Sequence, residues 1–231
     1  MPVSRPNLFP KPRPLAVLFD LDGTLVDSIA LLLASMNHTF EGREHRPTES
    51  EWIAGLGTPL PAQLTPFVES EEDRQRLIQR YRDFQGEQHD RLMARYQGVA
   101  ETLALLRKRG HPMGVVTSKG NAMMDRGLRF IGADDCISVT VGYDSCDRHK
   151  PDPYPVSLAV EKLGYTPAET VFVGDSPHDI KAGNAAGVAT IAALWGPFAR
   201  QTLEPYEPAY CIEKITQLPP LLERIARPSA G

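Results

Sequence analysis

Short apolar runs recur along the chain, each ending abruptly at polar or glycine residues. The first, Leu15–Phe19, leads directly into Asp20-Leu21-Asp22-Gly23-Thr24. Similar runs follow at Met113–Val116 (ending in Thr117), Ile137–Val141 (ending in Gly142) and Val171–Val173 (ending in Gly174-Asp175). Ala189–Leu194 and Tyr210–Ile212 are two more candidates. Runs that are continuously apolar over strand length, not alternating, suit strands covered on both faces in a parallel sheet. Between them the pattern predicts helices over Val99–Arg109, Asn121–Phe130, Pro155–Leu163 and Pro177–Ala186. Gly110, Gly164 and Gly187 stand just beyond three of these, where a helix stop is expected. Strands alternating with helices of this length predict a doubly wound α/β unit.

One stretch breaks the alternation. From Asp27 to about Arg95 the pattern predicts helices at Ser28–Phe40, Glu49–Ala54 and Glu71–Tyr96, and no strand. The expected organisation is an α/β core formed by residues 15–26 and 96–231, interrupted by a helical cap at 27–95. Residues 1–14 hold five prolines among basic residues. Proline at that density blocks helix and sheet pairing, so this stretch reads as a flexible tail.

Composition narrows the partners. The 231 residues carry a formal net charge of −4, which argues against a large nucleic-acid surface. No apolar run approaches the roughly 20 residues of a membrane helix, so a membrane role is not expected. Three cysteines without a C-x-x-C pair fit a reducing cytoplasm. The six histidines show no paired zinc-ligand spacing. The cap carries eight arginines, no lysine and twelve acids, so its overall field does not attract anions and any substrate contact there must be local. Nothing in the sequence separates a monomer from a homodimer.

Candidate chemistry lies just after the apolar runs. In open α/β sheets, ligands gather outside the carboxyl ends of the strands, where the strand order reverses. Asp20 and Asp22 follow the first run, Thr117 and Ser118 the second, and Asp175 and Asp179 a later one. Lys150 sits in the loop His149-Lys150-Pro151-Asp152-Pro153. If the strands are parallel, these groups converge on one edge. Carboxylates about 4 Å apart repel by about 4 kcal/mol at an effective dielectric near 20, so the cluster needs a cation. Hard carboxylate oxygens favour Mg²⁺, and the set as a whole suits phosphoryl transfer.

The run Asp20-Leu21-Asp22-Gly23-Thr24-Leu25-Val26-Asp27-Ser28 resembles the signature of the haloacid dehalogenase superfamily. The likeness continues through Val115-Val116-Thr117-Ser118, Lys150-Pro151-Asp152-Pro153 and Val173–Ile180. It implies a Rossmann-like core with an inserted C1-type helical cap. It also implies a phosphatase that acts on a small phosphorylated metabolite. Carried over residue by residue, Asp20 would be the nucleophile that forms an aspartyl-phosphate, and Asp22 the general acid and base. Mg²⁺ would sit on Asp20, the Asp22 backbone carbonyl and Asp175, with Asp179 completing the acidic shell. Thr117, Ser118 and Gly23 would surround the phosphate, and Lys150 would steady Asp20. Dehalogenating members lack an acid at the Asp22 position, so phosphate chemistry is favoured. The cap layout and Trp195-Gly196 look most like phosphoglycolate phosphatases and their pyrophosphatase relatives, with Gly55-Leu56-Gly57-Thr58 as a candidate substrate loop. His149 and His178, beside motif residues, could also reach a substrate. A nucleotide or sugar phosphatase, a phosphosugar mutase, a receiver-like module and a phosphate-binding protein remain open as alternatives.

Overall fold

The computed structural model describes residues 13–226. The elements, in chain order, begin with strand β1 (Ala16–Phe19), the short β2 (Val26–Asp27) and helices α1 (Ile29–Thr39), α2 (Glu49–Ala54), α3 (Leu60–Leu64) and α4 (Glu71–Leu92). They continue with β3 (Ala94–Arg95), α5 (Val99–Lys108), β4 (Met113–Val116), α6 (Asn121–Ile131), β5 (Val139–Val141) and α7 (Tyr154–Leu163). The chain finishes with β6 (Thr170–Gly174), α8 (Pro177–Ala185), β7 (Ala189–Ala193), α9 (Arg200–Leu203), β8 (Tyr210–Ile212) and α10 (Leu218–Ile225).

Six strands form one parallel sheet in the order β5-β4-β1-β6-β7-β8. The order runs outward from β1 to β5 on one side, then restarts beside β1 with β6. The switch point therefore lies between β1 and β6, and each of these strands is followed directly by an aspartate, Asp20 and Asp175. Period-two alternation decides which side chain goes to which face. Val17 and Phe19 of β1, Met113 and Val115 of β4, and Val171 and Val173 of β6 share a cluster with Leu103 and Leu106 of α5, Leu128 of α6 and Leu221 of α10. Leu18, Val116 and Phe172 point the other way, onto Val156 and Ala159 of α7 and Ala182 of α8. Helices on both faces explain why β1 is buried at every position.

Helices α1–α4 occupy the stretch between the two short strands. Their apolar cluster includes Leu32, Met36, Phe40, Trp52, Leu64, Leu77 and Tyr81, and it runs on to Ile180, Ala192 and Phe198 of the α/β unit. Helix starts are defined locally. Thr48 and Glu51 form a reciprocal capping box at α2, and Ser70 accepts from the Asp73 backbone N–H at 3.1 Å at α4. Arg43 grips Asp73 through both guanidinium nitrogens at 2.8 and 2.9 Å, tying the loop after α1 to the start of α4.

The expectation of a strand-free stretch from Asp27 to Arg95 is corrected. β2 and β3 pair antiparallel, Val26 with Arg95 and Asp27 with Ala94, at the two crossings into the helical stretch. At two residues each they are too short to leave an apolar pattern. α4 accordingly stops at Leu92, short of Tyr96, and α3 is an additional helix. Of the expected flexible tail, residues 1–12 lie outside the described residues. Arg13 is docked, its guanidinium 3.5 Å from the centroid of the Tyr165 ring and Nη1 donating to the Gly164 carbonyl at 3.2 Å. No helix among the described residues is long and apolar enough to cross a membrane.

Candidate active site

The ends of β1, β4 and β6 bring together most of the residues singled out from the sequence. Lys150 Nζ, buried beneath them, donates to Asp20 Oδ1 and Asp179 Oδ1, each at 2.6 Å, and to the Val116 carbonyl at 3.2 Å. Asp179 Oδ2 accepts the Ser176 backbone N–H at 3.0 Å and its hydroxyl at 2.6 Å. The same carboxylate thus closes the capping box that starts α8. Asp175 Oδ1 accepts the Thr24 hydroxyl at 2.6 Å, and Trp195 Nε1 holds the Thr24 carbonyl at 2.9 Å. One oxygen each from Asp20, Asp175 and Asp179 lies within 4.8 Å of the others. Gly23 makes this approach possible. Its φ is +83°, and a Cβ there would fall inside the Asp175 carboxylate.

Three buried carboxylates share one ammonium, and that imbalance sets the electrostatics. If all three acids are ionised, two negative charges remain uncompensated. Burial pushes Asp20 up to about 7, with Lys150 opposing and Asp179 adding to the rise. Burial likewise raises Asp175 well above the usual carboxylate range, reinforced by Asp179 and Asp20. Lys150 shows the other half of the imbalance. Burial disfavours its charge, yet Asp179 and Asp20 outweigh burial and keep it an ammonium. A buried all-oxygen donor set with a deficit of two positive charges fits a divalent hard cation.

Asp22 stands apart from this triad. Its carboxylate turns to Lys119, whose Nζ lies 2.8 Å from both oxygens. Thr117 is buried, donating its backbone N–H to Val141 and accepting that of Lys119 on its hydroxyl at 3.3 Å. Ser118 instead reaches the helical stretch, its hydroxyl donating to the Gly57 carbonyl at 2.6 Å. Gly57, with φ +94°, sits so close that an added Cβ would meet Ser176 Oγ at 2.6 Å and His178 Cδ2 at 3.3 Å. The Gly55–Thr58 loop thus lies directly over the strand ends.

Beneath this loop is a cavity of about 300 Å³. Asp20, Asp22, Thr117, Ser118, Lys119 and Asp175 line it at the strand ends, and side chains from α1, α3, α4 and α6, the 56–58 loop and Tyr143-Asp144 line much of the rest. His149 and His178 are not part of its lining. His149 stacks on Tyr143, with ring centroids 4.4 Å apart, and Tyr143 takes the place at the wall.

A family model described as haloacid dehalogenase-like hydrolase matches residues 17–193, a span that includes every motif above. The chain belongs to this family. As a haloacid dehalogenase-like hydrolase it is an enzyme, and its fold matches that of solved structures. A hydrolase from Pseudomonas syringae superposes with a TM-score of 0.84 at 22% identity, covering 92% of this chain and 100% of that one. A predicted phosphoglycolate phosphatase from Haemophilus somnus gives a TM-score of 0.79 at 26% identity, covering 89% and 96%. Among curated relatives, pyrophosphatase PpaX of Bacillus velezensis is 38% identical over 210 residues, 89% of this chain and 95% of that protein. Pyrophosphatase PpaX of Bacillus mycoides is 36% identical over 210 residues, 90% and 97%.

Several residues at or beside the site of this hydrolase went unread in the sequence. Lys119 follows Thr117-Ser118 directly, and a third polar residue after an apolar run was the available signal. Gln85 lies four residues after Tyr81 on the inward face of α4, where an amphipathic helix ordinarily places an apolar side chain. Thr24 gave no signal beyond its place in the first motif.

Proposed function

We propose that this hydrolase is a Mg²⁺-dependent phosphatase that cleaves a small phosphorylated metabolite through an aspartyl-phosphate on Asp20. The observation that carries this reading is the position of Asp20. It sits at the sheet's switch point and lines the cavity, with one oxygen held by Lys150 and no hydrogen bond to the other among the described residues. Asp20 attacks phosphorus with that oxygen, and the bond to the leaving-group oxygen breaks. Asp22, at the cavity wall, supplies the proton to that oxygen. It then removes one from the water that hydrolyses the phospho-enzyme and regenerates Asp20. Thr117 would donate its hydroxyl to a phosphoryl oxygen and Ser118 its backbone N–H, since the Ser118 hydroxyl is committed to the Gly57 carbonyl, with Gly23 leaving room beside Asp175. Lys150 holds Asp20 in its attacking orientation and offsets part of the negative charge.

Asp20, Asp175 and Asp179, together with the Asp22 backbone carbonyl, would hold the Mg²⁺ ion. Bound there, it would neutralise charge on the phosphoryl oxygens and the charge the triad leaves uncompensated. The loop at Gly57 restricts bulk water over the reacting centre. The names of the relatives make pyrophosphate and phosphoglycolate the first substrates to compare with a generic aryl phosphate. Mg²⁺-dependent phosphate release that falls by at least about three orders of magnitude in Asp20→Asn supports the reading. Undiminished turnover in that variant, or turnover indifferent to chelation of divalent ions, overturns it.

A further inference from the structure

Building on the phosphatase reading, we propose that the substrate is a phosphomonoester of an organic alcohol with an apolar or ring-shaped body, not a wholly ionic species such as pyrophosphate. The cavity has two ends of different chemistry. The acids, Thr117 and Lys119 form the end at the sheet. The remainder is mainly apolar, with Leu32, Leu60, Met123 and Tyr143 among its members, and it also holds Arg82 and Asp144. About 300 Å³ is space for about ten waters at roughly 30 Å³ each, and a phosphoryl group fills only the acidic end. A second ionised phosphate pressed against leucine, proline and methionine would lose its hydration without a partner, which is costly. Lys119 is held by both oxygens of Asp22, which leaves one N–H of its ammonium, so it supplies at most a single contact to a second phosphate. Arg82 is exposed and attracts any phosphate without discriminating between leaving groups.

Gln85 adds a polar feature to the apolar wall. Its side chain is 6% exposed, lines the cavity and makes no hydrogen bond among the described residues. A primary amide offers both donor and acceptor, so it suits a hydroxyl or carbonyl on the alcohol portion. Gln63, whose Nε2 donates to the Thr58 carbonyl, leaves a buried Oε1 without a partner among the described residues in the same lining, so the leaving group is an apolar body carrying a polar substituent within reach of these amides.

Binding of non-hydrolysable phosphonates tests this without requiring turnover. Titration calorimetry on the full chain in Mg²⁺ buffer compares methylphosphonate, benzylphosphonate, a hydroxybenzylphosphonate and methylenediphosphonate, the non-hydrolysable counterpart of pyrophosphate. Benzylphosphonate should bind at least about tenfold more tightly than methylphosphonate. Met123→Ala, at a half-buried position, should cut that preference by about fivefold. Gln85→Ala should weaken the hydroxybenzyl ligand more than the benzyl one. Equal affinity for the two simple phosphonates, tighter binding of methylenediphosphonate than of benzylphosphonate, or a Met123→Ala effect shared equally by both overturns the inference. Unequal loss in Gln85→Ala supports the polar contact, and equal loss removes it. Aryl phosphate turnover that vanishes in Asp20→Asn would keep the phosphatase reading even if the phosphonates fail to discriminate.

Discussion

Replacing Lys150 with methionine removes the ammonium shared by the buried acids while keeping most of the side chain's length. At 2.6 Å from Asp20 and from Asp179, each attraction is about 6 kcal/mol at an effective dielectric near 20. Desolvation of the lysine offsets much of that sum. What the substitution exposes is the cost of leaving two carboxylates buried without their partner, about 3–5 kcal/mol. The acids can relieve the strain by taking up protons, so the loss depends on pH. A carboxyl whose folded pKa is raised adds no penalty below its ordinary value. The penalty grows as pH rises towards the folded value. Burial has already brought Asp20 to about 7 against the pull of Lys150, and without that pull it rises further. Urea unfolding in metal-free buffer should therefore show Lys150→Met losing stability relative to wild type as pH increases from roughly 6 to 9. Added Mg²⁺ should recover part of the loss. A variant within about 1 kcal/mol of wild type at the alkaline end would refute the charge-imbalance argument.

Three further outcomes follow from the geometry. Gly57→Ala places a side chain at φ +94° and 2.6 Å from Ser176 Oγ. The closed loop should lose about 1–2 kcal/mol and kcat about tenfold, with only a small change in Tm, and an unchanged kcat would contradict this. Lys119→Met deprives Asp22 of the contact that orients it, so kcat should fall by about 10- to 100-fold at a nearly unchanged urea midpoint. A kcat within a factor of two of wild type would remove Lys119 from the positioning role. Hydrogen bonds from Arg43, chiefly, hold the Asp73 carboxyl well below its ordinary value of 3.8. Its contribution to stability is complete above that value and lost as pH falls below it. Asp73→Asn should cost about 2 kcal/mol at neutral pH and flatten the acid limb of a thermal-stability profile. An acid limb equal to that of wild type would count against the assignment.

The α/β part was legible because its strands are covered on both faces. Burial of Leu18 on one face and of Val17 and Phe19 on the other requires an unbroken apolar run, and such a run is visible in one dimension. The polar residues that end these runs were legible for the same reason, since parallel strands bring their carboxyl ends to one edge. β2 and β3 were not, because their pairing joins residues nearly seventy positions apart through backbone hydrogen bonds that leave no hydrophobic period. The partners within the site were equally hidden. Nothing local says that Lys119 will take Asp22 while Lys150 takes Asp20 and Asp179, because the sheet order alone makes that choice. Gln85 looked like one more polar position on a charged helix, and only the packing of α4 over the cavity sets it apart from its solvated neighbours.

In the proposed reaction Asp20 itself carries the phosphoryl group during turnover. Acid quenching of wild type mixed with a radiolabelled phosphomonoester in Mg²⁺, followed by peptide mapping, tests it directly. The label should appear on the peptide containing Asp20, be lost on treatment with hydroxylamine, and be absent in Asp20→Asn. Label on a different residue, or rapid hydrolysis by Asp20→Asn, would contradict the account.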